Sequence, residues 1–507
     1  MLKRFFVLIL ILFPVCETNS ETLSRPRPNF LIIITDDQRY DTLTPEIMPR
    51  TWQRIVHEGT LFQNAFVTTP LCCPSRASIF TGMIARDHGV LRNKTNSDRV
   101  AFARMNHFPE DLKKNGYKTA LVGKFLNSWS GRWEERRREE FDYWASIDLL
   151  PGHVSNSYFN FDLHLKKKLI PYRCTDAQFA GCKYVTDEMV RYTLPFLNQV
   201  AESGQPFLLY FAPTAPHDPA TPALRHAALF PDLPPYRPPS YAEKDLSDKP
   251  KWLREAGWIK KDSEGQPFMD SETSESIDNL RLAQLRSLAA LDEAIGTILD
   301  FLQSHGLLDQ TFVLFTSDNG IHLGEHFLEG KNAPYEESIR VPFAVRFPPL
   351  RPIDSARVNS ENLIANIDMA PTIYELAELD SPAQLAGQSL VPLIAGRKND
   401  WRKTLFFEGW PDRPGDIGNP EQCRPPFRAI RSKHYIYIRY ESNTGTGAPC
   451  VFSNADGPEL YDLVNDPYQM ENVAKRAEYK SVVNRLEKKL RVYPKVDAPV
   501  RFRRRIH

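Results

Sequence analysis

Four short apolar segments, each followed at once by polar residues, constrain the fold of this 507-residue chain more than any other feature. The segments are 30–34, 120–122, 207–211 and 312–315. Segments of this kind, separated by helical stretches, are typical of strands in a parallel sheet that is covered on both faces. One such helix is predicted over 281–302, where leucine and isoleucine recur at helical spacing. We therefore expect an α/β fold with a large mixed, mainly parallel sheet sandwiched by helices.

The polar residues after these strands are candidates for one shared pocket, because open α/β sheets bind ligands at the carboxyl ends of their strands. Asp36 and Asp37 follow the first strand, and Asp318 and Asn319 follow the last. Each pair alone could simply form a turn after its strand, where Asp and Asn are common. Together they favour a divalent cation, and oxygen ligands without ligand-spaced histidines or cysteines favour Ca²⁺ or Mg²⁺ over zinc.

Cationic and imidazole side chains occur in the same strand-end regions. Lys124 and Lys331 beside a divalent cation would form a pocket for a small tetrahedral anion, provided that they converge there. His217 and His322 could act as acid or base near neutral pH, although a lone histidine is more often structural. The weaker histidine candidates are His88 and His326.

The amino terminus predicts a secretory signal peptide over residues 1–20, with basic residues before an apolar run at 5–15. A run of about eleven residues is shorter than the roughly 20 that span a bilayer, and no later stretch is apolar enough. The 64 basic and 63 acidic residues leave a formal net charge of +1. The chain therefore has no overall positive electrostatic field that would attract nucleic acid. We expect an extracytoplasmic protein (secreted, lysosomal or periplasmic) with no membrane span and no nucleic-acid partner.

The cysteines agree with an oxidising compartment. After removal of Cys16 with the signal peptide, the spacing suits two local disulfides, Cys174–Cys182 and Cys423–Cys450, although other pairings stay open. The adjacent residues Cys72 and Cys73 are left over, and a disulfide between neighbours is geometrically awkward.

The pattern of the chain changes after about residue 380. Residues 428–440 alternate like a strand, and 480–491 read as a charged helix. This predicts a main domain over 21–380 and a smaller antiparallel-sheet subdomain over 381–507. The proline-rich stretch 223–275 is expected to be a surface insertion over the strand-end face, either contacting substrate or passive.

Several motifs together resemble one family. The stretch around Cys72 resembles the sulfatase signature, in which Cys, any residue, Pro, Ser and Arg precede a run ending in Thr-Gly. The motifs that carry the resemblance, in chain order, are TDDQ, CCPSRASIFTG, GKFLN, APHDP, SDNG, YEESIRVP and ELYDLVNDP. The chain is similar to type I sulfatases of the alkaline-phosphatase superfamily, which are sulfuric ester hydrolases with an alkaline-phosphatase-like fold.

The resemblance implies a chemical role for Cys72. A formylglycine-generating enzyme would convert it to formylglycine (3-oxoalanine), and Cys73 would fill the variable position. The hydrated aldehyde offers two hydroxyls on one carbon, so that one attacks sulfur and the second later expels sulfate.

The other site residues carry over from the family position by position. Arg76 would hold the formylglycine hydrate, Lys124 and Lys331 would bind sulfate, and His217 would protonate the leaving oxygen. The residues that match the ligands of one Ca²⁺ are Asp36, Asp37, Asp318 and Asn319, with the modified Cys72.

The chain departs from many arylsulfatases at Leu126, where they have a histidine two positions after the first lysine. The base for sulfate release is therefore open, and His88 or His322 could replace it. The sequences LCCPSRASI, GKFLN and DNGIHLGEH look most like the branch of N-acetylglucosamine-6-sulfatases and extracellular heparan endosulfatases. This similarity implies a sulfated carbohydrate substrate, glucosamine 6-sulfate in a glycosaminoglycan such as heparan sulfate.

Other functions stay open. Arylsulfatases and phosphomonoester or phosphonate hydrolases of the same superfamily use similar sites, although a single metal suits a sulfate ester better than a phosphate dianion. A catalytically silent binder of sulfated glycans would not need the maturation motif, and a redox role for Cys72 with Cys73 is disfavoured by the following proline. Asn93 begins an Asn-Lys-Thr triplet, which would be glycosylated in a eukaryotic secretory pathway.

Overall fold

The computed structural model describes residues 27–93, 102, 105–127, 140–147, 158–166, 168–176, 178–351, 357–397, 400–410, 424–441 and 457–493. The predicted signal peptide and the predicted Cys423–Cys450 disulfide lie outside these residues. The other predicted disulfide, Cys174–Cys182, is formed. Within the described ranges, no helix combines the length and the apolar character needed to cross a membrane.

Ten strands form the large central sheet. They are β1 (Asn29–Thr35), β2 (Thr60–Phe62), β3 (Lys118–Gly123), β4 (Tyr143–Ile147), β5 (Phe161–Leu165), β6 (Lys168–Tyr172), β7 (Phe207–Ala212), β8 (Thr311–Ser317), β9 (Phe343–Arg346) and β10 (Arg357–Asn359). Their order across the sheet is β10-β2-β9-β8-β1-β7-β3-β4-β5-β6. The five central strands from β8 to β4 run parallel, and β9 and β5 join this block in antiparallel orientation. The prediction of a mixed, mainly parallel sheet is confirmed.

Helices cover both faces of this sheet. The α-helices of the described residues, including those outside this sheet, are α1 (Pro49–Thr51), α2 (Cys72–Thr81), α3 (Ala85–His88), α4 (Phe108–Lys114), α5 (Val185–Ser203), α6 (Lys251–Arg254), α7 (Ser271–Ser304), α8 (Glu336–Ile339), α9 (Met369–Leu376), α10 (Val391–Ile394) and α11 (Lys480–Leu490). A π-helical turn at Trp52–Val56 follows α1. Helix α7 begins well before the predicted 281–302, because the Asp270 carboxylate caps it by accepting the N–H of Thr273 (3.1 Å).

Alternating side chains of the central strands form two cores, one on each face. Phe30, Ile32 and Ile34 of β1 pack in the core that includes α2, α4 and α9. Leu31 and Ile33 pack in the core that includes α5 and α7. All five side chains are completely buried. This two-sided burial explains why the strand is apolar at every position rather than at alternate ones.

A smaller antiparallel sheet lies near the carboxyl terminus, as predicted. Its strands, in spatial and chain order, are β11 (Thr404–Gly409), β12 (Phe427–Ser432), β13 (Tyr435–Tyr440) and β14 (Glu459–Asp462). Helix α11 packs against it through Leu486 and Leu490. Leu390 and Trp401 still pack in the core of the large sheet, and the proposed division of the chain at residue 380 stays a prediction.

The stretch 223–275 is held against the strand-end region by specific contacts. The Tyr236 hydroxyl accepts a hydrogen bond from Arg39 (2.7 Å), shortly after the acidic pair that follows β1. The backbone N–H of His326 donates to Ser240 (2.7 Å). This insertion is therefore part of the scaffold beside the candidate site.

Candidate active site

An acidic cluster lies at the carboxyl ends of β1 and β8. Four side chains each place one ligand atom within 4.8 Å of all the others: Asp36, Asp37, Cys72 and Asp318. The parallel register pairs Thr35 with Ser317. The residues after these two strands must therefore meet, although 281 positions separate Asp37 from Asp318. All four side chains are buried.

The backbone of Asp37 holds its carboxylate in this cluster. Asp37 is in the left-handed region (φ 63°), which is unfavourable for most non-glycine residues. Its N–H donates to Asp318 Oδ1 (3.2 Å). Strained backbone of this kind persists only where the surroundings over-determine it, and it concentrates at functional sites.

Asn319 contacts the cluster through its side-chain amide. Its Nδ2 donates to Asp37 Oδ1 (2.6 Å) and to the Gly320 carbonyl (2.8 Å). Its Oδ1 is buried and has no hydrogen-bond partner among the described residues. Such an oxygen costs about 1–3 kcal/mol unless something compensates it. Three carboxylates and an unsatisfied amide oxygen fit a hard divalent cation such as Ca²⁺.

Two buried lysines contact the acidic cluster. Lys124 Nζ lies 2.5 Å from Asp36 Oδ2. Lys331 Nζ lies 2.5 and 2.7 Å from the two Asp37 oxygens and 3.1 Å from Cys72 Sγ. The predicted anion pocket required these two lysines to converge, and the structure brings them together.

Gly123 explains how Lys124 reaches the cluster. Its φ is +109°, and a Cβ there would lie 2.1 Å from the Ala212 carbonyl oxygen. Only glycine lets β3 approach β7 this closely at the strand end. The next residue, Lys124, then donates its backbone N–H to the same carbonyl (2.7 Å).

The electrostatics of the cluster keep the Asp36 and Asp37 carboxylates charged. Burial raises the pKa of Asp36, but the charges of Lys124 and His217 outweigh burial and bring this pKa to about 2. Lys331 likewise outweighs burial at Asp37, whose pKa is lowered. Burial raises the pKa of the Cys72 thiol well above its ordinary value. The unmodified thiol therefore stays neutral and is a poor nucleophile.

Arg76 lies one helical turn after Cys72 and shares its face of α2. Its Nε donates to Asp318 Oδ2 (2.7 Å), and its Nη1 donates to the Lys124 carbonyl (2.8 Å). Its Nη2 is buried and has no hydrogen-bond partner in the described part of the chain. This N–H group is available to an anion or to a modified residue 72.

His217 lies on the solvent side of the cluster. Its Nε2 is 3.5 Å from Asp37 Oδ2, and its side chain is 23% exposed, against 4% or less for Asp37, Lys124 and Lys331. Its Nδ1 lies 2.7 Å from the Asp218 carbonyl oxygen, to which it can donate. This contact leaves Nε2 facing the cluster.

The contacts of His322 lead away from the acidic cluster. Its Nδ1 lies 3.2 Å from the Gly330 carbonyl oxygen, and its Nε2 lies 3.9 Å from Glu337 Oε2. Burial, with the charge of Arg424, lowers the pKa of His322 well below its ordinary value, so the ring is neutral. Gly330 immediately precedes Lys331, and these contacts therefore support that lysine. A catalytic or substrate-binding role for His322 stays a prediction.

The two weaker histidine candidates also have structural contacts. The Nε2 of His88 lies 3.0 Å from Ser78 Oγ, and its Nδ1 accepts the N–H of Val90 (3.1 Å). Burial lowers the pKa of His88 to about 3. His326 Nδ1 lies 3.2 Å from Glu243. The base for sulfate release is not identified by these contacts.

Asn366 supports the site and was not predicted from the sequence. Its Nδ2 donates to Ser75 Oγ (2.9 Å), and its Oδ1 accepts the N–H of Thr68 (3.2 Å). The amide thus ties the start of α2 to the preceding loop and explains a serine in the signature. The two partners are 291 positions apart, and no local pattern marks such a contact.

The predicted glycosylation site is engaged inside the protein. Asn93 is 6% exposed, and its Oδ1 accepts the backbone N–H of Cys73 (3.0 Å). A glycan on Asn93 Nδ2 would have to replace this packing. The geometry argues against the glycosylation expected from the triplet.

Comparison with known proteins identifies similar chains. A sulfatase family model matches residues 28–379, and a model of the carboxyl-terminal part of N-sulphoglucosamine sulphohydrolase matches 324–495. Human N-acetylglucosamine-6-sulfatase is 29% identical over 476 residues, covering 89% of this chain and 81% of that protein. The extracellular sulfatase SULF-1 homologue of Drosophila melanogaster is 29% identical and covers 78% of this chain. The chain spans only 33% of the fly protein and 54% of a nematode relative.

This chain is similar to a solved structure of a protein in complex with its substrate D-glucosamine-2-N,6-O-disulfate. The two structures superpose with a TM-score of 0.74 and 24% sequence identity, and the match covers 92% of this chain and 97% of the other. This likeness establishes the fold.

Proposed function

Since this chain belongs to the sulfatase family, we propose that it is a sulfuric ester hydrolase acting on a sulfated sugar, glucosamine 6-sulfate of a glycosaminoglycan such as heparan sulfate. The observation that carries the activity is the convergence of Cys72, the acidic cluster and two lysines at one strand-end site. The relatives named N-acetylglucosamine-6-sulfatase support the choice of sugar.

The proposed cofactors are one Ca²⁺ and formylglycine at position 72. Asp36, Asp37, Asp318 and Asn319 would hold the calcium ion together with residue 72. Formylglycine supplies a hydrated aldehyde as the nucleophile, and calcium supplies positive charge that favours loss of its proton. The unsatisfied Asn319 Oδ1 supports the metal, and the high pKa of the Cys72 thiol supports a modified nucleophile.

The charges of the site favour an anionic substrate. The three carboxylates lie against three permanently charged side chains, Arg76, Lys124 and Lys331, with His217 beside Asp37. A divalent cation would add two positive charges to this set, which an incoming sulfate ester would partly offset. We assign Lys124 and Lys331 to the sulfate oxygens and Arg76 Nη2 to residue 72.

We assign His217 as the proton donor to the leaving sugar oxygen. It is the most exposed side chain of the set and lies where an alcohol group would point to solvent. With its Nδ1 donating to the Asp218 carbonyl, its Nε2 can carry the transferred proton. A donor that is held in one orientation in this way is effective in the transition state.

The proposed setting is outside the cytoplasm. The predicted signal peptide would direct the chain to a secretory route, and the relatives include extracellular sulfatases. Secretion, lysosomal delivery and periplasmic export are all compatible with this proposal. Its proposed maturation partner is a formylglycine-generating enzyme, which would act before the chain folds around Cys72.

The state of residue 72 and the release of sulfate together test the proposal. Trypsin would cut after Arg54 and Arg76 and yield the peptide 55–76, whose mass distinguishes an aldehyde from a thiol. The converted protein should release sulfate from glucosamine 6-sulfate, and Cys72→Ala should fold normally without turnover. Fully converted protein that releases no sulfate, or an active C72A variant, would contradict the proposal. A phosphate monoester assayed in parallel would reveal the alternative hydrolase.

A further inference from the structure

Cys73 has contacts that a residue merely filling a variable position would not need. Its Sγ accepts the backbone N–H of Asn127 at 3.1 Å. Its own N–H donates to Asn93 Oδ1 (3.0 Å), and its Sγ lies 3.7 Å from the Asn93 carbonyl oxygen. The residue is 3% exposed. One side chain in the first turn of α2 thus joins two separate segments of chain.

The Asn127 contact places the Lys124 segment against α2. Lys124 and Asn127 belong to the same short turn after β3, and two hydrogen bonds, besides the packing of Phe125 on Phe80, attach this turn to α2. Arg76 Nη1 donates to the Lys124 carbonyl at one end (2.8 Å), and Cys73 Sγ accepts from Asn127 at the other. The same turn places Lys124 Nζ 2.5 Å from Asp36.

Because Cys73 follows Cys72 directly, it links the residue proposed as nucleophile to a lysine proposed to bind sulfate. Removing its sulfur would remove one of these two hydrogen bonds and leave the Asn127 N–H without that acceptor. The Lys124 ammonium would then sample positions away from Asp36. Cys72 would remain at the start of α2, because Asn366 holds the neighbouring Ser75 independently.

We propose that Cys73 is a positioning residue, whose thiol fixes the 124–127 turn and so sets the distance between residue 72 and Lys124. This inference rests on the proposed sulfatase function for its catalytic consequence. The structural part, the attachment of the turn, can be measured without any activity.

The test compares three variants of the full-length protein. Cys73→Ala removes the acceptor, and Cys73→Ser keeps an acceptor of shorter reach. Ile79→Val is the matched control, because Ile79 is a buried residue of α2 that packs in the large-sheet core. Residue 72 is checked by peptide mass in each preparation, and rates are expressed per converted enzyme.

We expect C73A to lower kcat/KM for glucosamine 6-sulfate roughly 3- to 10-fold, the effect of losing one buried hydrogen bond. C73S should recover most of this loss. I79V should retain wild-type kinetics even if its melting temperature falls as far as that of C73A. Hydrogen exchange followed by mass spectrometry should show faster exchange of the Asn127 amide in C73A and not in I79V.

Two results would overturn the inference. One is unchanged protection of the Asn127 amide in C73A, and the other is equal kinetic loss in C73A and I79V at matched melting temperature. If the converted wild-type enzyme hydrolyses no sulfate ester, the proposed function fails, while the exchange comparison still decides whether Cys73 holds the turn.

Discussion

Replacement of Asp318 with asparagine tests two properties of this carboxylate, its ion pair with Arg76 and its proposed place among the metal ligands. Asp318 is completely buried, and both of its oxygens accept hydrogen bonds, from Arg76 Nε and from the N–H of Asp37. Asparagine retains one acceptor and turns an NH₂ group toward a donor. Asp318→Asn therefore leaves the Arg76 guanidinium buried beside a neutral side chain.

The expected loss of stability is large. Removing one partner of a buried ion pair costs about 3–5 kcal/mol, because the other charge stays desolvated and uncompensated. Without metal, the wild-type site has three carboxylates against three cations, and D318N changes this to two against three. We expect chemical denaturation of the metal-free protein to show a free energy of unfolding lower by about 3–5 kcal/mol.

The same substitution should weaken calcium binding. Changes in groups that only support a metal ligand cost about 10- to 100-fold in affinity, so loss of a direct carboxylate should cost at least about 100-fold. Isothermal titration calorimetry with Ca²⁺ measures this loss. The control is Asp292→Asn. The Asp292 carboxylate is also buried and also accepts two hydrogen bonds, from the N–H groups of Arg50 and Thr51, but it does not belong to the acidic cluster. D292N should lose about 1–2 kcal/mol of stability and retain calcium affinity.

Unchanged calcium affinity in D318N would refute the assignment of Asp318 as a metal ligand. A stability loss no larger than that of D292N would refute the argument from the buried Arg76 charge. The two outcomes are independent, because stability is measured without metal and affinity is measured on folded protein.

Two further predictions concern buried groups outside the acidic cluster. Burial raises the pKa of Glu459, which accepts hydrogen bonds from Tyr335 and Tyr440, from 4.5 to about 7. A raised pKa stabilises the fold below pH 4.5, and this contribution is lost as the pH rises through about 7. Relative to the Glu459→Gln variant, the free energy of unfolding of the wild type should therefore fall by about 3 kcal/mol over that pH range, measured by chemical denaturation at several pH values. Free energies of unfolding that depend on pH in the same way in both proteins would contradict this. Protein secreted from eukaryotic cells should carry no glycan on Asn93, because the Asn93 amide is buried against Cys73; a glycosylated Asn93 peptide in folded protein would disprove it.

Part of the site was predictable because it follows from the sheet itself. Asp36 and Asp318 are adjacent to strands, and parallel strands in register bring the residues that follow them to the same edge. Lys124 follows β3 for the same reason. Local sequence therefore predicted which groups would meet, although their distances and charge states needed the three-dimensional structure.

The histidines show where local sequence was insufficient. His217 and His322 both follow strands or lie near strand ends, and both carry the same imidazole. His217 faces solvent beside Asp37, whereas His322 is buried with its Nδ1 against Gly330. Burial and neighbours decide which ring can exchange a proton, and both depend on segments distant in the chain.

The amino-acid sequence by itself determined the parallel sheet, the sulfatase signature at Cys72 and the order of the polar strand ends, because apolar periodicity and motif spacing are properties of contiguous residues. Only the tertiary structure decided that Asn319 Oδ1 has no hydrogen-bond partner among the described residues, that Asn366 binds Ser75 and that Cys73 Sγ accepts the Asn127 N–H. These are contacts between side chains and backbone groups that only folding brings within hydrogen-bonding distance, so no local pattern specifies them.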